Sequence, residues 1–84
     1  MDEEELAKNF QYCSPKSIMV VTWYGKLKVL YCPITVKVKD SVGNLFTGEY
    51  ASVSAVKLSS TGKTVFIIDG KAYYYYYFDI LTHL

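Results

Sequence analysis

The chain has no arginine, a single histidine (His83) and only two prolines and two cysteines in 84 residues. Without arginine there is no planar fork for bidentate recognition of phosphate or guanine, which counts against a dedicated nucleic-acid reader. A lone histidine beside the chain end has no fixed orienting partner, so no catalytic imidazole is expected. Cys13 and Cys32 are scattered, and with His83 they give no closely spaced pair of the kind that nucleates a zinc site. No metal and no cofactor are expected. Two cysteines do not make a disulfide framework. The acidic start Asp2-Glu3-Glu4-Glu5 is unlike a secretory leader, so the expectation is two reduced thiols in a cytoplasmic protein, with a single bridge as the alternative. The longest clean apolar run, residues 18–24, falls far short of the ~20 residues a membrane helix needs, and no membrane association is expected.

Motifs that carry chemistry are equally sparse. Gly62-Lys63-Thr64 resembles the tail of a phosphate-binding loop, but Lys57 stands where the first glycine of that pattern belongs. A strand pattern follows it instead of a helix, so it reads as a hairpin turn. Asp69 and Asp40 both sit in turn-like stretches and form no carboxylate pair. The chain is therefore expected not to be an enzyme, and no catalytic residues are assigned.

What the chain does have is aromatic surface. Nine tyrosines and four phenylalanines contribute to a 17% aromatic content, and residues 73–78 read Tyr-Tyr-Tyr-Tyr-Tyr-Phe. A strand sends successive side chains to opposite faces, so such a run makes both faces aromatic. One face can enter a core; the other needs more protein or a partner over it. The formal net charge is +1, yet Asp2 to Glu5 hold half of the acids, leaving nine lysines against Asp40, Glu49, Asp69 and Asp79 in the body. The lysine and tyrosine usage with no arginine fits an AT-rich genome, cellular or viral.

Residues 1–84 form one domain on length alone. Residues 1–15 read as an acidic N-terminal helix or arm: Asp2 can cap, Glu3 to Glu5 suit a helix start, and Leu6 and Phe10 are four apart. Pro15 ends it. Residues 17–84 read as an antiparallel β meander of about six short strands. Gly25-Lys26 is suited to a two-residue turn that sets Val21 opposite Leu30 and Trp23 opposite Lys28. Ile34, Val36 and Val38 alternate with Thr35, Lys37 and Lys39, the cleanest half-buried strand in the chain. Residues 40–44 are a loop. Residues 45–58 are too long for one strand, with the bend placed at Gly48 or Ala51-Ser52. Asp69-Gly70 is a favoured type I′ pair that sets Ile67 opposite Ala72, Phe66 opposite Tyr73 and Val65 opposite Tyr74. Of the two faces so defined, the one holding Val65, Ile67, Ala72, Tyr74, Tyr76 and Phe78 is taken as core, because Lys71 and Thr64 lie on the other.

The fold class is thus mostly β with a short N-terminal helix: a small meander, either a strongly bent sheet or a closed barrel. The stretch Val36-Lys37-Val38-Lys39-Asp40, with Gly48-Glu49-Tyr50 downstream, is similar to the strand–turn–strand patterning of SH3-like and Sm-like barrels, which implies that fold as an analogy.

The expected function is a small non-catalytic interaction module, binding a protein or a second copy of itself as a dimer, through Phe66, Ile68, Tyr73, Tyr75 and Tyr77, with Trp23 adjoining. Burial of both faces within one chain, with the N-terminal helix covering the second through Leu6 and Phe10, is a competing reading. The alternative function is a nucleic-acid-binding barrel in which the same tyrosines stack bases and Lys37, Lys39 and Lys71 meet phosphates.

Overall fold

Among the described residues, antiparallel β ladders and the tight turns between them organise the backbone. A computed structural model describes residues 6–22 and 24–82, with only the backbone of Lys8. Nine strands are formed: β1 (Ala7–Ser14), β2 (Ser17–Thr22), β3 (Leu27–Tyr31), β4 (Ile34–Val38), β5 (Tyr50–Val53), β6 (Ala55–Leu58), β7 (Thr64–Ile68), β8 (Lys71–Tyr74) and β9 (Phe78–Ile80). They make three antiparallel sheets, ordered β1-β2-β3, β5-β4-β9 and β6-β7-β8. Among the described residues there is no α-helix and no closed barrel, so the mostly-β class holds and the barrel form of it does not.

The expected N-terminal helix is replaced, over residues 7–14, by β1; the acidic residues 2–5 lie outside the described part. The four-residue spacing of Leu6 and Phe10 suits a helix, but a two-residue period runs through the same segment. Phe10 and Tyr12 are half-buried, while Asn9, Gln11 and Cys13 are exposed. Phe10 pairs with Val20 and Tyr12 with Ile18, so strand partners decide where a three-turn helix had too little propensity of its own.

The β2–β3 register also differs from the expectation. The turn closes on Thr22 and Lys26: the Thr22 amide donates to the Lys26 carbonyl at 2.8 Å, and the Lys26 amide donates to Thr22 Oγ1 at 3.0 Å. Gly25, at φ +88°, supplies the left-handed residue that ends this longer loop, rather than opening a two-residue turn. Val21 therefore faces Leu27, and Leu30 faces Ile18. The pairing of Trp23 lies outside the described residues.

β4 is as its alternation predicts, with Ile34, Val36 and Val38 all buried. The long 45–58 segment turns at Thr47-Gly48, one of the two expected bends, where Gly48 takes φ 94° and the Glu49 amide donates to the Phe46 carbonyl at 3.0 Å; it breaks again at Ser54, whose amide donates to the Ile67 carbonyl at 2.9 Å, while Ala51-Ser52 lies inside β5. The β7–β8 hairpin has the expected register, Val65 to Tyr74, Phe66 to Tyr73 and Ile67 to Ala72, about Asp69 (φ 52°) and Gly70 (φ 76°).

One core joins the sheets. Ile18, Val20 and Leu30 come from the first, Val36, Val38, Val53, Phe78 and Ile80 from the second, and Val56, Phe66 and Ile68 from the third. Hydrogen bonds outside the ladders also tie the sheets together. The Val56 amide donates to the Pro15 carbonyl at 2.8 Å, and Lys28 Nζ donates to the Thr82 carbonyl at 3.1 Å.

Candidate interaction surface

The aromatic run does not continue as one strand. β8 stops at Tyr74, Tyr75–Tyr77 make a 3-10 turn, and Phe78 re-enters as β9 in a different sheet, opposite Val38. The turn lets the chain hop between sheets, and the Tyr77 carbonyl accepts the Lys39 amide at 2.7 Å. A 3-10 turn sends three successive side chains in three directions. The strict in–out alternation of a strand therefore stops at Tyr74.

The face assignment made from the sequence is inverted across the β7–β8 hairpin, while Phe78, also assigned to the core, is buried there. Phe66 and Ile68, expected on a partner surface, are 1% and 3% exposed. Lysine next to a hairpin turn reaches water from either face, so Lys71 was no guide to which face is wet. Phe66 packs between Phe10 at 6.0 Å and Phe78 at 5.9 Å, ring centroid to centroid. Phe10 thus does cover that face, from a strand instead of a helix. Tyr73 and Tyr77 are half-buried against the same core. Tyr73 is pinned between Phe78, 6.0 Å away and edge-on, and the loop at Gly43. Of the six residues named for this surface, Tyr75 remains exposed, and Trp23 lies outside the described residues.

In their place the structure exposes Tyr74, Tyr75 and Tyr76 together. Tyr74 and Tyr76 stack at 5.5 Å with planes 12° apart, and Tyr75 meets Tyr76 edge-on at 5.5 Å. Phe10 braces the group against Tyr75 at 5.3 Å. A cleft of about 260 Å³ runs on one side of Tyr75, lined also by Phe10, Tyr76, Phe78, Lys39 and Asp79. A second, of about 270 Å³, runs on the other side between Phe10, Lys63 and Thr64. Lys63 Nζ stands 5.8 Å from the Tyr74 ring centre, within cation–π range. Removal of water around Tyr76 by its neighbours raises its phenol pKa above the ordinary 10.0, and the surrounding Tyr77, Tyr74 and Tyr75 hydroxyls push it the same way. It stays neutral, a hydrogen-bonding tip on an apolar ring.

Sequence reasoning placed Tyr74 and Tyr76 in the core because it treated the run as a single pleated strand, and it named Phe10 as a cover for the hairpin without placing it beside an exposed tyrosine group. The one available signal was the length of the run itself: period-two alternation has no use for five consecutive identical large residues.

The three lysines of the nucleic-acid reading are divided. Lys37 is on β4, 5.9 Å from the Tyr50 ring centre, and Lys39, just beyond the end of β4, pairs with Asp79 at 3.8 Å. Lys71 stands at the β7–β8 turn of another sheet. Cys13 and Cys32 are free thiols; burial raises the Cys32 pKa, partly offset by the positive charge of Lys16. Among the described residues no three histidine, cysteine or acidic side chains gather as a metal site. Compared with known family models, curated proteins and solved structures, the chain matches none.

Proposed function

We propose that this chain is a non-catalytic β interaction module that holds an extended segment of a partner protein against the tyrosine turn. The observation that carries the reading is the exposed Tyr74–Tyr75–Tyr76 group with a cleft on each side of Tyr75. Tyrosine gives large contact area at low entropic cost and keeps a polar tip for hydrogen bonding, so it is favoured where partners meet. The bound segment would place an apolar side chain in the cleft beside Phe10 and an acidic group near Lys63. Apolar burial at the centre supplies affinity, and the lysines at the rim set orientation.

The test is selection of short displayed peptides on the wild-type chain and, in parallel, on Tyr75→Asp. The expected result is a family of acidic, aromatic- or aliphatic-bearing peptides whose binding falls at least ~10-fold on the variant, about 1.4 kcal/mol. Equal enrichment on both proteins, or none on either, sinks the proposal.

A second reading draws on the same rings. Three exposed tyrosines flanked by Lys63 and Lys39 are also the ingredients of a single-strand nucleic-acid platform. It predicts binding of an oligonucleotide at low salt that weakens steeply as salt rises. Lys39 is paired with Asp79 and the chain has no arginine to fork onto a phosphate, so protein is the preferred partner. A mobility-shift experiment at low salt in which no complex forms removes this alternative.

A further inference from the structure

Tyr74, Tyr75 and Tyr76 stand in water, 41%, 37% and 42% exposed. Each carries a phenol O–H, from which a one-electron oxidant can take a hydrogen atom. The rings packed behind them, Phe10 beside Tyr75 and Phe66 beyond it, have no hydroxyl to give. Within the group the pairs differ. Tyr74 and Tyr76 stack, with ring centres 5.5 Å apart and planes 12° from parallel. Tyr75 meets Tyr76 edge-on, at 76°. Tyr76 and Tyr77 lie closer, at 4.9 Å, but Tyr77 is half-buried against the core, and a bond between adjacent residues closes a more strained ring.

The stack comes from the break between strand and turn: Tyr74 ends β8, and Tyr76 is the middle residue of the 3-10 turn. A near-parallel pair at this separation is offset, so the rings overlap toward their edges and not centre on centre. The carbons that flank each hydroxyl, where a phenoxyl radical carries much of its unpaired spin, then need only small side-chain rotations to meet. Exposed side chains make such rotations in picoseconds to nanoseconds.

We propose that Tyr74 and Tyr76 are an oxidative modification site, where a haem peroxidase with hydrogen peroxide joins the two rings as an intrachain dityrosine. Each phenol loses one hydrogen atom, as an electron and a proton, and becomes a phenoxyl radical. The two radicals form a carbon–carbon bond between ring positions beside the hydroxyls. The hydrogen on each bonded carbon then moves to its own oxygen, and both rings are phenols again. Two electrons and two protons have left in all, and one hydrogen peroxide takes them to become two waters. Coupling within the chain outruns coupling between chains, because the second ring is held at an effective concentration in the ~mM range or above. The bond ties the end of β8 to the turn and fixes the Tyr76 side of the cleft that it lines with Phe10.

The test treats the dilute full chain with a haem peroxidase and hydrogen peroxide, then follows dityrosine fluorescence, denaturing gels and mass spectrometry. The expected product runs as a monomer, is lighter by two hydrogens, and carries that loss in the fragment 72–84 that trypsin releases by cutting after Lys71. Tyr74→Phe and Tyr76→Phe are each expected to lower the yield of this product at least ~10-fold, because the held partner is gone. Tyr75→Phe is expected to retain it. All three variants keep an aromatic ring, and circular dichroism checks that each is folded. No mass loss in the wild type overturns the proposal. So does fluorescence confined to cross-linked dimers, a product that survives both Tyr74→Phe and Tyr76→Phe, or one abolished by Tyr75→Phe. The peptide selection reads binding on Tyr75→Asp, so either result can fail without the other.

Discussion

Phe10 on β1 meets Tyr75 in the 3-10 turn edge to face, with ring centroids 5.3 Å apart and planes at 64°. The contact ties the exposed tyrosine group to the same ring that covers Phe66 in the core. Phe10→Ala is expected to lower stability by about 2–4 kcal/mol, below the full range for a wholly buried ring because Phe10 is half-buried. Tyr75→Ala is expected to cost less. In a double-mutant cycle the pair should couple by about 0.5–1.5 kcal/mol, the usual worth of an edge-to-face aromatic contact. Urea unfolding of the four proteins measures it, and additive losses would show that the turn is not braced by β1.

The inverted hairpin face gives a sharper contrast. Phe66 and Tyr74 lie on opposite faces of the same hairpin, one sealed among Phe10 and Phe78 and the other 41% exposed. Phe66→Ala is expected to destabilise by about 3–5 kcal/mol and Tyr74→Ala by less than about 1 kcal/mol. The reverse order in denaturant midpoints would restore the face assignment read from the sequence.

That assignment shows where the sequence is legible and where it is silent. β4 is readable because Ile34, Val36 and Val38 alternate with polar residues, and the alternation is itself the burial pattern. The β7–β8 register is readable because Asp69 and Gly70 accept the positive φ of a type I′ turn, and two residues then fix every pair behind them. Neither signal says which face is wet, since Val65 and Ile67 are as apolar as Phe66 and Ile68. The tyrosine turn is silent for a related reason: with five identical residues, no change of side chain marks where β8 ends. β1 was hidden by a competing helical spacing, and it becomes a strand only because β2 is there to pair with it. The outer face of β3 was hidden by a turn that closes at Lys26 and shifts the register by an odd number of residues, exchanging the faces.

Gly43 and Gly70 both have positive φ, 57° and 76°, but differ in what a methyl group meets. At Gly70 nothing lies within 4 Å, so Gly70→Ala carries backbone strain alone, about 1–2 kcal/mol. At Gly43 a Cβ would stand 3.3 Å from Tyr73 Cε1 and 3.4 Å from its hydroxyl. Tyr73 is held on its other side by Phe78 and cannot give freely. Gly43→Ala is expected to cost more than Gly70→Ala and to disturb the Tyr73 ring signals in NMR spectra. Equal thermal shifts for the two variants would mean that the loop yields and the ring is not pinned.

Tyr76 supplies a pH signature for the folded turn. Its phenol pKa is raised above 10.0, first by loss of water around it and then by the neighbouring tyrosine hydroxyls. The folded state thus holds this proton more tightly than the unfolded chain does. The corresponding stability is fully present below the unfolded phenol pKa near 10 and is lost as pH rises through the higher folded value. At neutral and acidic pH this group adds no pH dependence to stability. Chemical unfolding from pH 8 to pH 12 is expected to show stability falling on the alkaline side, with a shallower fall in Tyr76→Phe, which has no proton to lose at that position. Parallel curves for the two proteins across that range would show that the ring cluster does not surround Tyr76 in solution.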